Sequence, residues 1–199
     1  MKRFAYTLVL MLICFSVFSG CSDAEKVYPI DKIGTFDSAE LVYENEHFGI
    51  KGVYDPSLTL EPRKTPDAKE KLITEINIHN ADYSFHHYLQ LYSKDTIELV
   101  YRALPIKQYT KDYVNSLVGH IDCEVLKEAY ADEFILAGEN VTGYTSDIEV
   151  IDYDSGYKKS LRVTVITLDA EPYYCNLLIQ STDKEQAQKF LNSTYSALN

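Results

Sequence analysis

Three histidines, His79, His86 and His87, fall within nine positions of one another with Glu75 and Asp82 close by, and imidazole with carboxylate is a donor set that holds zinc. The spacing argues against a metal. Alternation along an extended chain sends His86 and His87 to opposite faces, and neither His-x-His nor His-Glu-x-x-His occurs. Ordinary surface and turn histidines are expected, with no metal and no cofactor. Asp152-x-Asp154-x-Gly156 has the alternating oxygens that open a calcium loop. The sixth position, where glycine belongs, is however Tyr157, and the twelfth, where a bidentate acid belongs, is Val163. A hairpin turn accounts for the same residues. Cys123 with His120 would pair a thiol with an imidazole only if a helix ran through both, and the helical pattern ends near Ile121. The serines lack Gly-x-Ser-x-Gly, and Gly138, Gly143 and Gly156 compose no phosphate loop. No catalytic residue is expected.

The cysteines say more about location than about catalysis. The chain opens Met1-Lys2-Arg3 and runs from Phe4 to Phe18 without a charge, the n-region and h-region of an export signal. That run of about fifteen residues is short of the roughly 20 a membrane-spanning helix needs. Val17-Phe18-Ser19-Gly20-Cys21 resembles the lipobox of bacterial lipoproteins, with small residues before the cysteine and Phe18 where leucine is usual. The resemblance implies a signal peptide over residues 1–20 and a lipid on Cys21. It further implies an exported protein held to a membrane of the bacterial cell envelope, on its periplasmic or extracellular face. Cys14 lies within the leader. Cys123 and Cys175 then remain in an oxidising setting, either as one disulfide or as two separate thiols, since sequence does not give their separation.

Losing Lys2 and Arg3 with the leader takes the formal net charge from −11 to −13. So negative a surface disfavours nucleic acid and anionic headgroups, which leaves the acyl chains on Cys21 as the membrane attachment.

Residues 21–39 read as the lipidated cysteine and a polar tether, and residues 40–199 as a single globular α+β domain of a size that supports one core. Phe48 to Tyr54 is β-rich and stopped by Asp55-Pro56, and Glu75 to Ile78 and Thr96 to Arg102 alternate. Glu61 to Asp67, with Pro62 and Pro66, reads as a loop. A helix is expected to open at Thr110, with Tyr113, Val114, Leu117, Val118 and Ile121 on one face. Asn140 to Asp152 and Lys159 to Leu168 form a hairpin through Asp154-Ser155-Gly156, and Tyr173 to Gln180 follows a turn at Asp169 to Pro172. Thr182-Asp-Lys-Glu185 has the form of a capping box, and Ala187, Phe190, Leu191 and Leu198 continue it as an apolar stripe. Antiparallel strands bracketed by two amphipathic helices indicate a sheet covered by helices.

This order of elements resembles the PsbP/Mog1-like domain of many small bacterial lipoproteins. The resemblance spans most of residues 40–199: Asn45-Glu-His-Phe48-Gly-Ile opens a strand that ends near a proline, a strand runs into the Thr110 helix, and three strands precede a capped terminal helix. Tyr173-Tyr174 to Ser181 and the helix from Phe190 to Leu198 match best. The tryptophan frequent after the first strand is missing, since the chain has none. The resemblance implies an α/β/α sandwich that serves as a binding or assembly module with no shared catalytic set; a cystatin-like or NTF2-like curved sheet is the alternative.

Seventeen tyrosines suit surfaces that are dry at one end and wet at the other. Tyr83, Phe85, Tyr88 and Tyr92 form one candidate interaction surface, Tyr144, Tyr153 and Tyr157 another, although half-buried strands produce the same composition. The function expected is that of a lipid-anchored, non-enzymatic module that binds an envelope protein. The alternative is a small envelope hydrolase or metal-binding protein whose site is dispersed along the chain.

Overall fold

The computed structural model describes residues 35–37, 39–64, 72–81, 85–94, 104–151 and 156–198. Cys21, the expected leader over residues 1–20, Tyr83, Tyr153, Asp152, Asp154 and the expected strand from Thr96 to Arg102 lie outside them. Among the described residues the chain forms β1 (Thr35–Asp37), β2 (Val42–Asn45), β3 (Ile50–Val53), β4 (Thr59–Lys64), β5 (Leu72–His79), β6 (His86–Ser93), α1 (Ile106–Val118), β7 (Cys123–Leu136), β8 (Glu139–Ile151), β9 (Lys158–Ala170), β10 (Tyr173–Ser181), α2 (Lys184–Thr194) and β11 (Tyr195–Ala197). None of these helices is long and apolar enough to cross a membrane.

Seven strands make the main sheet, in the order β4-β5-β6-β10-β9-β8-β7, and four make a small one, β1-β2-β3-β11; the pairings within both are antiparallel. The fold is α+β. Central strand β10 shows why. Tyr173, Cys175, Leu177 and Ile179 point to one face, where they join Ile76, Leu89 and Phe134 and are covered by Phe190 and Leu191 of α2 and Tyr43, Tyr54 and Tyr195 of the small sheet. Leu178 points to the other face and packs with Val163, Val165, Ile148 and Val114 of α1. A strand dry on both faces has to lie mid-sheet with a layer on each side, so the helices sandwich the main sheet as the element order suggests.

Four local expectations are corrected. Glu61 to Lys64 is not loop but part of β4, whose residue Pro62 pairs with Ile76. This is tolerated because β4 is an edge strand, where a missing N–H need not break a ladder. The folded body starts before residue 40: Thr35–Asp37 pairs with β2, and the Phe36 ring meets Tyr54 at 6.4 Å, anchoring a segment read as tether. Helix α1 opens after Pro105 rather than at Thr110, whose hydroxyl sits inside the helix and donates to the Ile106 carbonyl at 2.8 Å. At α2 the cap is Asp183, accepting from Gln186 N–H at 2.8 Å, while the Gln186 side chain accepts from Thr182 N–H at 2.8 Å. The box is thus shifted one residue from Thr182/Glu185, because Asp is as good a cap as Thr and its carboxylate favours a helix N-terminus.

Candidate functional site

The main sheet divides its polar side chains between two faces. On the α2 side His87 is fully buried. Its Nδ1 lies 2.9 Å from the Leu178 carbonyl, which can only accept, so Nδ1 carries the hydrogen. Nε2 must then accept, and the Tyr195 hydroxyl donates to it at 2.7 Å, while Tyr54 O–H donates to the Tyr195 oxygen at 3.2 Å. Burial drives the His87 pKa down to about 3, so the ring is neutral, and burial raises both tyrosines above their ordinary range. Gly52 admits the pair: a Cβ there would come within 3.1 Å of both the Tyr195 ring and the Tyr54 hydroxyl. Beside Tyr54 opens a groove of about 430 Å³ lined by Val53, Pro56, Leu58, Phe190 and Thr194.

On the α1 side, α1 covers β7, β8 and β9, and the half formed by β5 and β6 carries a polar and aromatic layer. Tyr92 O–H donates to Tyr113 at 3.3 Å, Tyr113 donates to Gln90 Oε1 at 2.7 Å, and Gln90 Nε2 donates to Glu75 at 2.9 Å, a chain that ends on a carboxylate. Beside it His86 Nε2 is 2.5 Å from Asn77 Oδ1, and Asn77 Nδ2 donates to Glu61 at 3.3 Å. The His86 ring lies against Tyr88 with centroids 4.2 Å apart and the planes tilted by 43°, and meets His79 edge-on at 5.8 Å. Burial, reinforced by His79 and opposed by Glu61, brings the His86 pKa down to about 4. Burial raises the Tyr92 and Tyr113 hydroxyls. Neutral imidazole, amides and phenols offer donors and acceptors beside flat apolar rings, which is the chemistry of recognition.

A third cluster ties α2 to β7. Arg162 donates to Asp132 at 2.9 Å and to the Tyr130 hydroxyl at 2.7 Å, Lys184 reaches Asp132 at 2.5 Å, and Tyr130 donates to Asp147 at 3.1 Å. Burial would raise the Asp132 pKa, but Lys184 and Arg162 hold it below the usual carboxylate range. These charges satisfy one another.

The four residues expected to share an interaction surface are therefore split. Tyr88 and Tyr92 lie half-buried on the α1 side. Phe85 is buried in the opposite core, 4.7 Å from Phe190, and cannot contribute to a surface. Of the second set, Tyr144 packs under α1 and Tyr157 is 77% exposed. His86 and His87 do point to opposite faces. No group of three or more His, Cys, Asp or Glu among the described residues is arranged to hold a metal. Cys123 and Cys175 are free thiols, Cys175 in the core on the α2 side and Cys123 packed on the α1 side, so of the two readings left open it is the separate thiols that the structure holds. The His87 and Tyr113 networks were missed by sequence reasoning. His87-x-Leu89-x-Leu91 does signal a histidine on a core face, but its hydroxyl partner Tyr195 lies 108 residues away.

No protein-family model matches the chain, and no curated protein sequence does. Among solved structures it is similar to the solution structure of cyanobacterial PsbP (CyanoP) from Synechocystis sp. PCC 6803, with a TM-score of 0.41 and 8% identity over 82% of this chain and 91% of that one. No residue role is carried over from it.

Proposed function

We propose that this chain is a bacterial envelope lipoprotein, anchored by lipid on Cys21, whose folded body is a non-enzymatic module that binds an envelope protein. The anchor rests on Lys2 and Arg3, the uncharged run to Phe18, and Ser19-Gly20-Cys21. The binding role rests on one observation, the half-buried layer of His86, Tyr88, Asn77 and Gln90 on β5 and β6, which α1 reaches through Tyr113. Tyrosine is favoured at such places because its ring gives contact area at little entropic cost while its hydroxyl stays paired.

The two parts fail separately. Palmitate labelling should vanish in Cys21→Ser and membrane retention with it; unchanged labelling defeats the anchor. Crosslinking the tethered protein in cells, followed by pull-down, should recover one reproducible envelope protein that is lost in Tyr88→Ala. Retention of that partner in Tyr88→Ala defeats the assigned face, and stoichiometric metal in the purified protein would support a metal-binding role instead.

A further inference from the structure

Strand β7 is the outer strand of the main sheet, and at 14 residues it is a long edge. An edge of that length is a template for another chain, because every second residue turns its N–H and C=O away from the sheet. Which residues these are follows from the hairpin. The β7–β8 loop has two residues, Ala137 and Gly138, with φ of 52° and 89°, the tight turn that makes Leu136 and Glu139 a hydrogen-bonded pair. Alternation back from Leu136 turns the peptide groups of Ile135, Glu133 and Ala131 outward.

Two of these are already engaged. Gln188, on α2, accepts from Ile135 N–H through Oε1 at 2.9 Å and donates from Nε2 to the Ile135 carbonyl at 2.8 Å, the two bonds a neighbouring strand would make. Its second amide hydrogen goes to Asn192 Oδ1 at 2.8 Å, which fixes which end of the amide is nitrogen. Glu133 N–H donates to Asp132 Oδ1 at 3.0 Å, and Asp132 is itself held by Arg162 and Lys184. Nearer the start of β7 the pairing with β8 slips twice, between Val125 and Lys127 and between Lys127 and Tyr130, and Ala129 N–H there is taken by Asn115 of α1 at 3.4 Å. The irregular half of the strand is a poor template by its bulges. Gln188 stands on the regular half.

We propose that the Gln188 carboxamide is an edge cap: it occupies the β7 peptide group at Ile135 as a strand would, and thereby keeps a second copy of this chain from adding its own β7 to the main sheet. A second copy is the partner this edge fits, since it carries the same outer strand, which is regular enough over Tyr130–Leu136 to pair antiparallel with β8 in unbroken register.

The test is Gln188→Ala in the full chain, since alanine keeps the helix and removes the cap, together with the bond to exposed Asn192. By sedimentation the parent should remain monomeric across a concentration range in which the variant shows a concentration-dependent dimer. The Ile135 amide should exchange with deuterium about fivefold faster in dilute variant than in parent, the loss of one ordinary hydrogen bond. Adding Ile135→Lys, a charge of the kind that keeps edge strands from pairing, should return the variant to monomer. A Gln188→Ala protein that stays monomeric throughout, or a dimer untouched by Ile135→Lys, overturns the proposal. Should the alanine variant fail to fold, Gln188→Met serves in its place, because it keeps the length and helix propensity of the side chain and loses both bonds to Ile135; the same two outcomes decide.

Discussion

The two faces of the main sheet are built to different rules, although they share strands and, along β10, alternate residues. The α2 side is mostly apolar, and the imidazole buried within it, His87, is neutral and has both ring nitrogens paired. The α1 side is apolar where α1 packs on it and, over β5 and β6, layered with phenols and amides whose hydrogen bonds run outward to Glu75 and Glu61. A dry face draws its stability from packing and punishes any loss of volume; a polar layer draws less from each contact and tolerates exchange. This contrast teaches where to look for function, since a recognition surface needs paired but accessible polar groups, and on the dry face the His87–Tyr195–Tyr54 network is buried.

Adjacent residues of β10 provide the sharpest test. Leu177→Ala on the α2 side should cost about 4 kcal/mol, and Leu178→Ala on the α1 side about 2 kcal/mol, read from urea midpoints at constant m-value. Equal losses would mean that the two faces are packed alike.

Acid should strike the α2 side next. The unfolded chain protonates His87 near pH 6.5 and the folded protein not until about pH 3, so the unfolded state binds more protons between them. Stability is therefore full above about pH 6.5 and falls as pH drops toward 3, by several kcal/mol, on the order of 4, from this one group. Gln in place of His87 keeps a donor for Leu178 and an acceptor for Tyr195 without titrating. A pH series of denaturant melts on His87→Gln should lose most of that slope, and an unchanged slope would assign acid sensitivity to the carboxylates.

On the α1 side, Tyr113→Phe removes the donor to Gln90 and the acceptor for Tyr92 and should cost about 1 kcal/mol, since Gln90 and Tyr92 are only partly buried. The mildest comparison uses the thiols. Burial pushes the Cys175 thiol up to about 12, so a thiol reagent should modify Cys123 in the native protein and Cys175 only after denaturation. Equal rates would contradict the burial difference between the faces.

Much of this was legible in particular residues. The apolar stripe Ala187, Phe190, Leu191 identifies α2, although its expected last member Leu198 lies beyond the helix, which ends at Thr194 and gives way to β11; the alternation through Lys159 to Leu168 identifies β9, and the same alternation separates His86 from His87. Strand β7 was not legible, because two register slips break its alternation between Val125 and Tyr130 and most of its first half is charged or exposed. The small sheet was hidden for another reason: β3 pairs with β11 about 140 residues later, and three-residue strands carry no periodicity of their own.

What the sequence determined by itself is therefore local: the charge, the uncharged run from Phe4 to Phe18, the helix stripes, and which neighbours along a strand part to opposite faces, the last two of which depend on periods of 3.6 and 2 residues. The tertiary structure alone decided that Tyr195 closes on His87, that Phe85 is core rather than surface, and that Gln188 reaches Ile135. Each of these contacts joins segments far apart in the chain, and only the packing of α2 and the small sheet on the main sheet brings their atoms within hydrogen-bonding or van der Waals reach.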